Sequence, residues 1–219
     1  KSAALSMNGG DFDAKMSLSS WQRQEVTWWV DNIASQEYFL TPRPITLEWF
    51  SDASTKGWGL YCPETGVSTG GLWAPDEAQL HINVLELKSL FFGCLVFMKS
   101  VFSAHAHIHT DSQVALNVLK HQGSTHSKWC NKYASKILRF CEQHDIHITV
   151  SYVASSRNCE ADKASRVFSN DDTEWQLDPK IFAQICSIFG TPDIDMFASR
   201  LNAQLPLYCS WHPDPGATH

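Results

Sequence analysis

The chain has 219 residues, 43% of them hydrophobic and 18% charged, so it can bury a core of ordinary size and is not disordered throughout. No run of about 18 uncharged apolar residues occurs, which excludes a predicted transmembrane helix and a membrane partner. The formal net charge of −6 excludes an evenly basic surface, so any binding of nucleic acid must use local clusters of lysine and arginine.

Residues 1–44 are predicted to form a tether that contains one helix. Ser19 and Gln22 have the spacing of a capping box, and apolar residues at helical spacing follow them. Pro42 and Pro44 then end the helical pattern, because proline cannot continue a helix and restricts the residue before it.

Residues 45–170 alternate between strand and helix patterns and are predicted to form the main domain. The predicted strands are 45–51, 57–62, 67–73, 105–110 and 146–153, and the predicted helices are 82–99, 112–119, 127–143 and 159–167. Three strands in an antiparallel meander, followed by βαβ crossovers, predict an α/β fold with a mixed five-stranded sheet flanked by helices.

Residues 171–219 differ in character and are predicted to be a C-terminal extension of unknown role. Residues 179–189 have a helical pattern and residues 193–198 a strand pattern, whereas the remainder is rich in proline and tryptophan. Seven cysteines are scattered over the whole chain without a Cys-x-x-Cys pair, which argues against a disulfide framework and a zinc ribbon. We therefore expect reduced thiols in an intracellular protein, in the cytoplasm or the nucleus.

Four acidic residues stand where structural or apolar residues are expected. Asp52 and Asp111 end two predicted strands, Glu86 interrupts an apolar helix, and Asp162 begins the last helix of the main domain. Any one of them alone is best explained as a strand end or a helix cap. A buried carboxylate is costly unless it is paired or metal-bound, so four together predict a shared hard cation, Mg²⁺ or Mn²⁺.

The contexts of these acids resemble the Asp-Glu-Asp-Asp tetrad of ribonuclease H, in the form found in DIRS-type retrotransposons, which use a tyrosine recombinase. The segments that carry the resemblance are 50–54 (FSDAS), 57–59 (GWG), 81–87 (HINVLEL), 110–113 (TDSQ), 161–166 (ADKASR), 174–175 (EW), 195–199 (DMFAS) and 210–215 (SWHPDP). Residues 1–40 are similar to the polypeptide that joins polymerase to nuclease, so the resemblance covers nearly the whole chain.

The resemblance implies an endoribonuclease that cuts the RNA strand of RNA–DNA hybrids during reverse transcription and leaves 5′-phosphate products. It implies two Mg²⁺ or Mn²⁺ ions held by the tetrad, and the polymerase domain of the same polyprotein as a partner. The hybrid would be recognised by its minor-groove shape and its 2′-hydroxyls. One departure is that residues 154–158 lack the histidine that many such enzymes carry in this loop, where Arg157 can replace only its charge.

Basic and polar residues near the predicted tetrad are candidates for binding the hybrid. Lys128, Lys132 and Lys136 recur every four residues on a predicted helix with Trp129 beside them, as expected for tracking a DNA backbone or for an ordinary solvated face. The polar candidates for the minor groove are Ser112, Gln113, Gln122, Ser124 and Thr125. Ser124 and Thr125 would serve equally well as caps of the following helix.

Other interpretations remain open at this point. His105, His107 and His109 alternate on one strand face, where they could bind a metal but more often contact solvent or a helix. The whole domain could be a scaffold or binding module with weak or no catalysis, a nuclease or recombinase acting on DNA, or a domesticated host protein.

Overall fold

The computed structural model describes residue 6 and residues 9–35, 43–168 and 175–218. The chain forms two compact units, Lys1–Pro42 and Arg43–His219. Within the described ranges, no helix combines the length and the apolar character needed to cross a membrane. The domain limits expected at residues 44 and 170 stay predictions.

The first unit contains helix α1 (Ser20–Asn32). The predicted capping box is confirmed: the Gln22 amide donates to Ser19 Oγ at 3.3 Å, and the Ser19 amide donates to Gln22 Oε1 at 2.9 Å. Its apolar residues, among them Trp29 and Val30, are exposed. The predicted end of the helical pattern at residues 42–44 lies partly outside the described residues.

The second unit is built on five strands, β1 (Leu47–Ala53), β2 (Gly57–Cys62), β3 (Val67–Leu72), β4 (His105–Thr110) and β5 (His147–Tyr152). The sheet order is β3-β2-β1-β4-β5. The first three strands pair antiparallel, whereas β4 pairs in parallel with both β1 and β5. The predicted mixed five-stranded sheet is therefore confirmed.

Helices cover both faces of this sheet: α2 (Ile82–Phe97), α3 (Gln113–Lys120), α4 (Lys128–Gln143) and α5 (Cys159–Arg166). Helix α2 packs so closely on β1 that position 93 has no room for a side chain: a Cβ at Gly93 would lie 2.2 Å from the Trp49 ring. Helix α5 packs as closely on β2, where a Cβ at Gly59 would lie 2.1 Å from the Ala161 carbonyl oxygen. Two glycines thus set the spacing of the layers that enclose the site.

The C-terminal segment contains α6 (Pro179–Phe189) and two short parallel strands, β6 (Asp195–Met196) and β7 (Tyr208–Cys209). The predicted helix is confirmed, whereas the strand predicted at 193–198 is only two residues long. Thr69 Oγ1 on β3 donates to the Pro213 carbonyl at 2.7 Å. The segment therefore contacts the edge strand of the main sheet.

A charge network, buried at Lys88 and half-buried at Glu77 and Arg200, joins the same segment to α2. Arg200 donates to Glu77 Oε1 at 3.1 Å and Oε2 at 2.8 Å, and to the Leu72 carbonyl at 2.6 Å. Lys88 on α2 forms an ion pair with Glu77 as well. Burial raises the pKa of Glu77, but hydrogen bonds from Lys88, the Ala74 amide and Arg200 outweigh it and hold that pKa below its usual value.

Candidate metal centre

Two of the predicted acids meet because their strands are parallel neighbours. Ser51 on β1 is the register partner of Thr110 on β4. Asp52 and Asp111, the next residue in each case, therefore lie beside each other at the same edge of the sheet. Asp52 is 2% exposed, and its Oδ2 accepts a hydrogen bond from Ser165 Oγ on α5 at 2.5 Å. Strand ends thus place two carboxylates side by side.

Glu86 reaches the same place from α2. One carboxylate oxygen of each of Asp52, Glu86 and Asp111 lies within 4.8 Å of the other two. Glu86 is 7% exposed, and its Oε2 is buried without a hydrogen-bond partner among the described residues. No other group of three or more His, Cys, Asp or Glu side chains in the described part of the chain is arranged to hold a metal ion.

The electrostatics of this cluster oppose the ionised state. Burial raises the pKa of Glu86 to about 9, and the neighbouring carboxylates of Asp52 and Asp111 add to that rise. Burial is also the main cause that raises the pKa of Asp52, against the hydrogen bond from Ser165. Like charges in a site of low polarity favour protons over negative charge. Burial and neighbouring carboxylates therefore disfavour the anionic forms of Asp52 and Glu86 in the absence of a cation.

A divalent cation fits this donor set. Carboxylate oxygens are the ligands that Mg²⁺ and Mn²⁺ prefer, and a cation would provide the partner that Glu86 Oε2 lacks among the described residues. It would also offset the mutual repulsion of Asp52, Glu86 and Asp111. The three side chains can thus hold a metal ion without rearrangement of the backbone.

Asp162, the fourth predicted ligand, stands apart from these three. Its Oδ1 accepts a hydrogen bond from Arg166 Nε at 2.6 Å, one turn further along α5, and its side chain is 38% exposed. Its charge is nevertheless felt by Asp52, whose pKa it raises. The structure therefore brings three of the four predicted acids together and shows the fourth in an ion pair beside them.

The predicted minor-groove residues lie in two places, at the N-terminus of α3 and in the loop before α4. Ser112 caps α3 by accepting from the Ala115 amide, and Gln113 is exposed directly after it. Ser124 is held by Asn131, which accepts from the Ser124 amide and donates to its carbonyl, each at 2.5 Å. Thr125 follows with its side chain exposed. Helix capping explains the position of Ser112. The pairing of Asn131 with Ser124 was not predicted from the sequence.

The predicted basic residues are on the surface. Lys128, Lys132 and Lys136 are exposed on α4, with Lys132 Nζ 4.7 Å from the centre of the Trp129 ring. Arg157 is exposed in a short 3₁₀ turn, Ser155–Arg157. The first residue of that turn contacts the centre: Ser155 Oγ donates to Asp111 Oδ2 at 2.6 Å.

The histidines of β4 form a hydrogen-bonded row instead of a metal site. Thr149 Oγ1 on β5 lies 2.9 Å from His105 Nε2 and 2.7 Å from His107 Nδ1. Ser151 Oγ lies 3.1 Å from His107 Nε2 and 2.8 Å from His109 Nδ1. The row is bounded by the Arg43 carbonyl oxygen, 2.7 Å from His105 Nδ1, and by Glu48, which contacts His109 Nε2.

No family model matches the chain, and no curated protein sequence matches it. Among solved structures, ribonuclease H1 of the halophilic archaeon Halobacterium salinarum NRC-1 is 16% identical, with 54% of this chain and 96% of that chain covered and a TM-score of 0.45. LC11 ribonuclease H1 in complex with an RNA/DNA hybrid is 13% identical, with 54% and 93% covered and a TM-score of 0.46. The foamy viral protease-reverse transcriptase in complex with an RNA/DNA hybrid is 11% identical, with 81% and 24% covered and a TM-score of 0.34.

Proposed function

We propose that this chain is a metal-dependent ribonuclease H that cuts the RNA strand of RNA–DNA hybrids. The observation that carries the proposal is the convergence of Asp52, Glu86 and Asp111, with a buried Glu86 oxygen that lacks a partner among the described residues. A structural role would pair these acids with cations of the protein, as happens at Glu77. Their arrangement instead fits ligands for Mg²⁺ or Mn²⁺.

We assign Asp52, Glu86 and Asp111 as metal ligands and Asp162 as the fourth. Two bound ions would supply activation of the attacking water and neutralisation of charge on the scissile phosphate. Asp162 belongs to this set only if it exchanges Arg166 for the metal, which its 38% exposed side chain allows. The products would carry 5′-phosphate and 3′-hydroxyl ends.

The remaining residues of the site would bind and orient the hybrid. Gln113, which is exposed directly after Asp111 and Ser112, would contact the minor groove beside the cut. The loop at Ser124 and Thr125 offers further polar contacts, and 2′-hydroxyls in the minor groove are the feature that distinguishes RNA from DNA. On α4, Lys128, Lys132 and Lys136 would contact phosphates of the DNA strand, with Arg157 as a further cation.

The wider setting is part of the same proposal. We propose a DIRS-type retrotransposon origin, a role in reverse transcription, an intracellular site of action, and the polymerase domain of the same polyprotein as partner. These proposals rest on the motifs at residues 50–54, 81–87 and 161–166 and on the tail motifs. The limits 1–44, 45–170 and 171–219 are proposed as tether, nuclease domain and extension.

The decisive test is cleavage of a labelled RNA–DNA hybrid in Mg²⁺ or in Mn²⁺, beside single-stranded RNA and duplex DNA. We expect metal-dependent cutting of the hybrid alone, and its loss in Asp111→Asn. Cutting of duplex DNA instead would identify a DNA nuclease of the same fold. Binding of the hybrid without cutting, in either metal, would identify a scaffold module and contradict the enzymatic proposal.

A further inference from the structure

We propose that Ser165 is a positioning residue that fixes which oxygen of Asp52 is offered to the metal. The inference rests on the proposed function and deepens it. Ser165 is fully buried, and its Oγ lies 2.5 Å from Asp52 Oδ2. Sequence reasoning did not single it out, because a serine three residues after Asp162 on a helix is unremarkable in itself.

The direction of this hydrogen bond follows from a count of hydrogens. The Ser165 hydroxyl has one hydrogen and two acceptors within reach, Asp52 Oδ2 at 2.5 Å and the Asp162 carbonyl at 2.9 Å. A helical serine ordinarily donates to a carbonyl of the preceding turn. Here Asp52 Oδ2 is the nearer acceptor, and as a metal ligand it is a carboxylate oxygen and therefore the stronger one, so the hydrogen points to Asp52.

This bond occupies Oδ2 and leaves Oδ1 as the oxygen of Asp52 that is available to a cation. The donor is itself held in place, since Ser54 Oγ donates to the Ser165 carbonyl at 2.6 Å. A Cβ at Gly59 would lie only 2.5 Å from the Ser165 amide nitrogen, so the backbone of α5 has no room to shift towards β2. Ser165 therefore orients Asp52 before any metal binds.

The same contact occurs a second time in a different environment. Ser155 Oγ donates to Asp111 Oδ2 at 2.6 Å, but Ser155 is exposed in its turn. Water can replace an exposed donor at little cost, whereas a buried carboxylate oxygen that loses its only donor stays unsatisfied. Ser155 is thus a control in which a serine hydroxyl donates to a carboxylate of the same cluster at a similar distance, but from an exposed position.

The experiment measures Mn²⁺ binding by calorimetry on the full chain without nucleic acid, for wild type, Ser165→Ala, Ser165→Cys and Ser155→Ala. Ser165→Cys keeps a side chain of similar size with a much weaker donor, which guards against a variant that fails to fold. We expect Ser165→Ala to bind about 10-fold or more weakly, Ser165→Cys to show an intermediate loss, and Ser155→Ala to change by less than about 3-fold. Thermal unfolding in EDTA confirms that each variant is folded.

Cleavage provides a second readout. In Ser165→Ala, the Mn²⁺ concentration at half-maximal rate should rise while the KM for the hybrid stays the same. A folded Ser165 variant that binds Mn²⁺ as tightly as wild type, or an equal loss in Ser155→Ala, overturns the positioning role. Absence of Mn²⁺ binding in the wild-type chain overturns the proposed function, and this inference with it.

Discussion

Glu86 and Lys88 lie two residues apart on α2, and both are nearly buried, yet their surroundings are opposite. Lys88 pairs with Glu77, which Arg200 also binds, so positive and negative charges are matched within the chain. Glu86 faces Asp52 and Asp111, so three carboxyl groups are gathered there, and Arg166, the cation that acts on them, is paired with Asp162. The difference teaches that this protein compensates one buried charge with its own side chains, whereas for the other cluster we propose compensation by a bound cation.

The largest expected effect comes from Glu86→Gln. The amide keeps the size of the side chain but is a poorer metal ligand. We therefore expect the rate of hybrid cleavage to fall by at least about 100-fold, more than is usual when a residue that only hydrogen-bonds to a metal ligand is changed. The folded state should survive, since a buried carboxyl group that is costly to ionise is replaced by a neutral amide of the same size. Cleavage and urea unfolding are measured together. A wild-type rate would remove Glu86 from the metal centre.

Glu77→Gln should do the reverse, with a large effect on stability and a small one on chemistry. It removes the anion that pairs with the buried Lys88 and the half-buried Arg200, which we expect to lower the free energy of unfolding by about 3–5 kcal/mol. Glu64→Gln, in the exposed turn after β2, is the control and should stay within about 0.5 kcal/mol of wild type. Urea unfolding decides, and equal stabilities of the two variants would contradict a structural charge network.

The two glutamates should also differ in how stability depends on pH in EDTA. Because the pKa of Glu86 is raised from 4.5 to about 9, the folded state keeps a proton that the unfolded chain releases, and stability falls as pH rises through that interval. The pKa of Glu77 is lowered, so its stabilising effect is present above 4.5 and is lost as pH falls below that value. Glu86→Gln should reduce the loss of stability between pH 4.5 and about 9 and leave the loss below pH 4.5 unchanged. If the loss of stability at higher pH is the same in that variant, groups other than Glu86 cause it.

The smallest effect is expected from Lys132→Glu, at a charge that belongs to neither network. Reversal of an exposed charge on α4 should raise the KM for the hybrid by about 3- to 10-fold and reduce its dependence on salt, with little change in kcat. Lys180→Glu, an exposed lysine on α6, is the matched control. If both variants give the same salt dependence as wild type, the lysines of α4 form an ordinary solvated face.

Local patterns were sufficient to predict the five-stranded sheet and the three acidic residues that meet at its edge. Alternation and helical spacing placed the strands and helices within a few residues, and parallel pairing of β1 with β4 then brings Asp52 and Asp111 together. Glu86 was predictable because it interrupts an apolar helix. Asp162 was grouped with them by its motif, but its pairing with Arg166 depends on side-chain conformation, which spacing does not determine.

Hydrogen bonds and ion pairs between side chains of distant segments, apart from the predicted acidic cluster, were not predictable from the sequence. Arg200 meets Glu77 across 123 positions of sequence, and Ser165 meets Asp52 across 113. Neither Arg200 nor Ser165 belongs to a periodic sequence pattern from which its partner could be inferred. The C-terminal segment, predicted as an extension of unknown role, therefore supplies a half-buried cation that its proline- and tryptophan-rich sequence did not indicate.

The row of histidines on β4 has a direction. A carbonyl oxygen can only accept, so the contact with Arg43 requires the hydrogen of His105 to be on Nδ1, and His105 Nε2 must accept from Thr149. The single hydroxyl hydrogen of Thr149 is then committed, so its oxygen accepts from His107 Nδ1. Each ring consequently takes the same tautomer as the one before it.

The same order continues through Ser151, which donates to His107 Nε2 and accepts from His109 Nδ1. The row ends where His109 Nε2 contacts Glu48 on the neighbouring strand β1. Its hydrogen bonds all point in the same sense, so one carbonyl oxygen at the start of the row sets the donor and acceptor roles of Thr149 and Ser151 on β5.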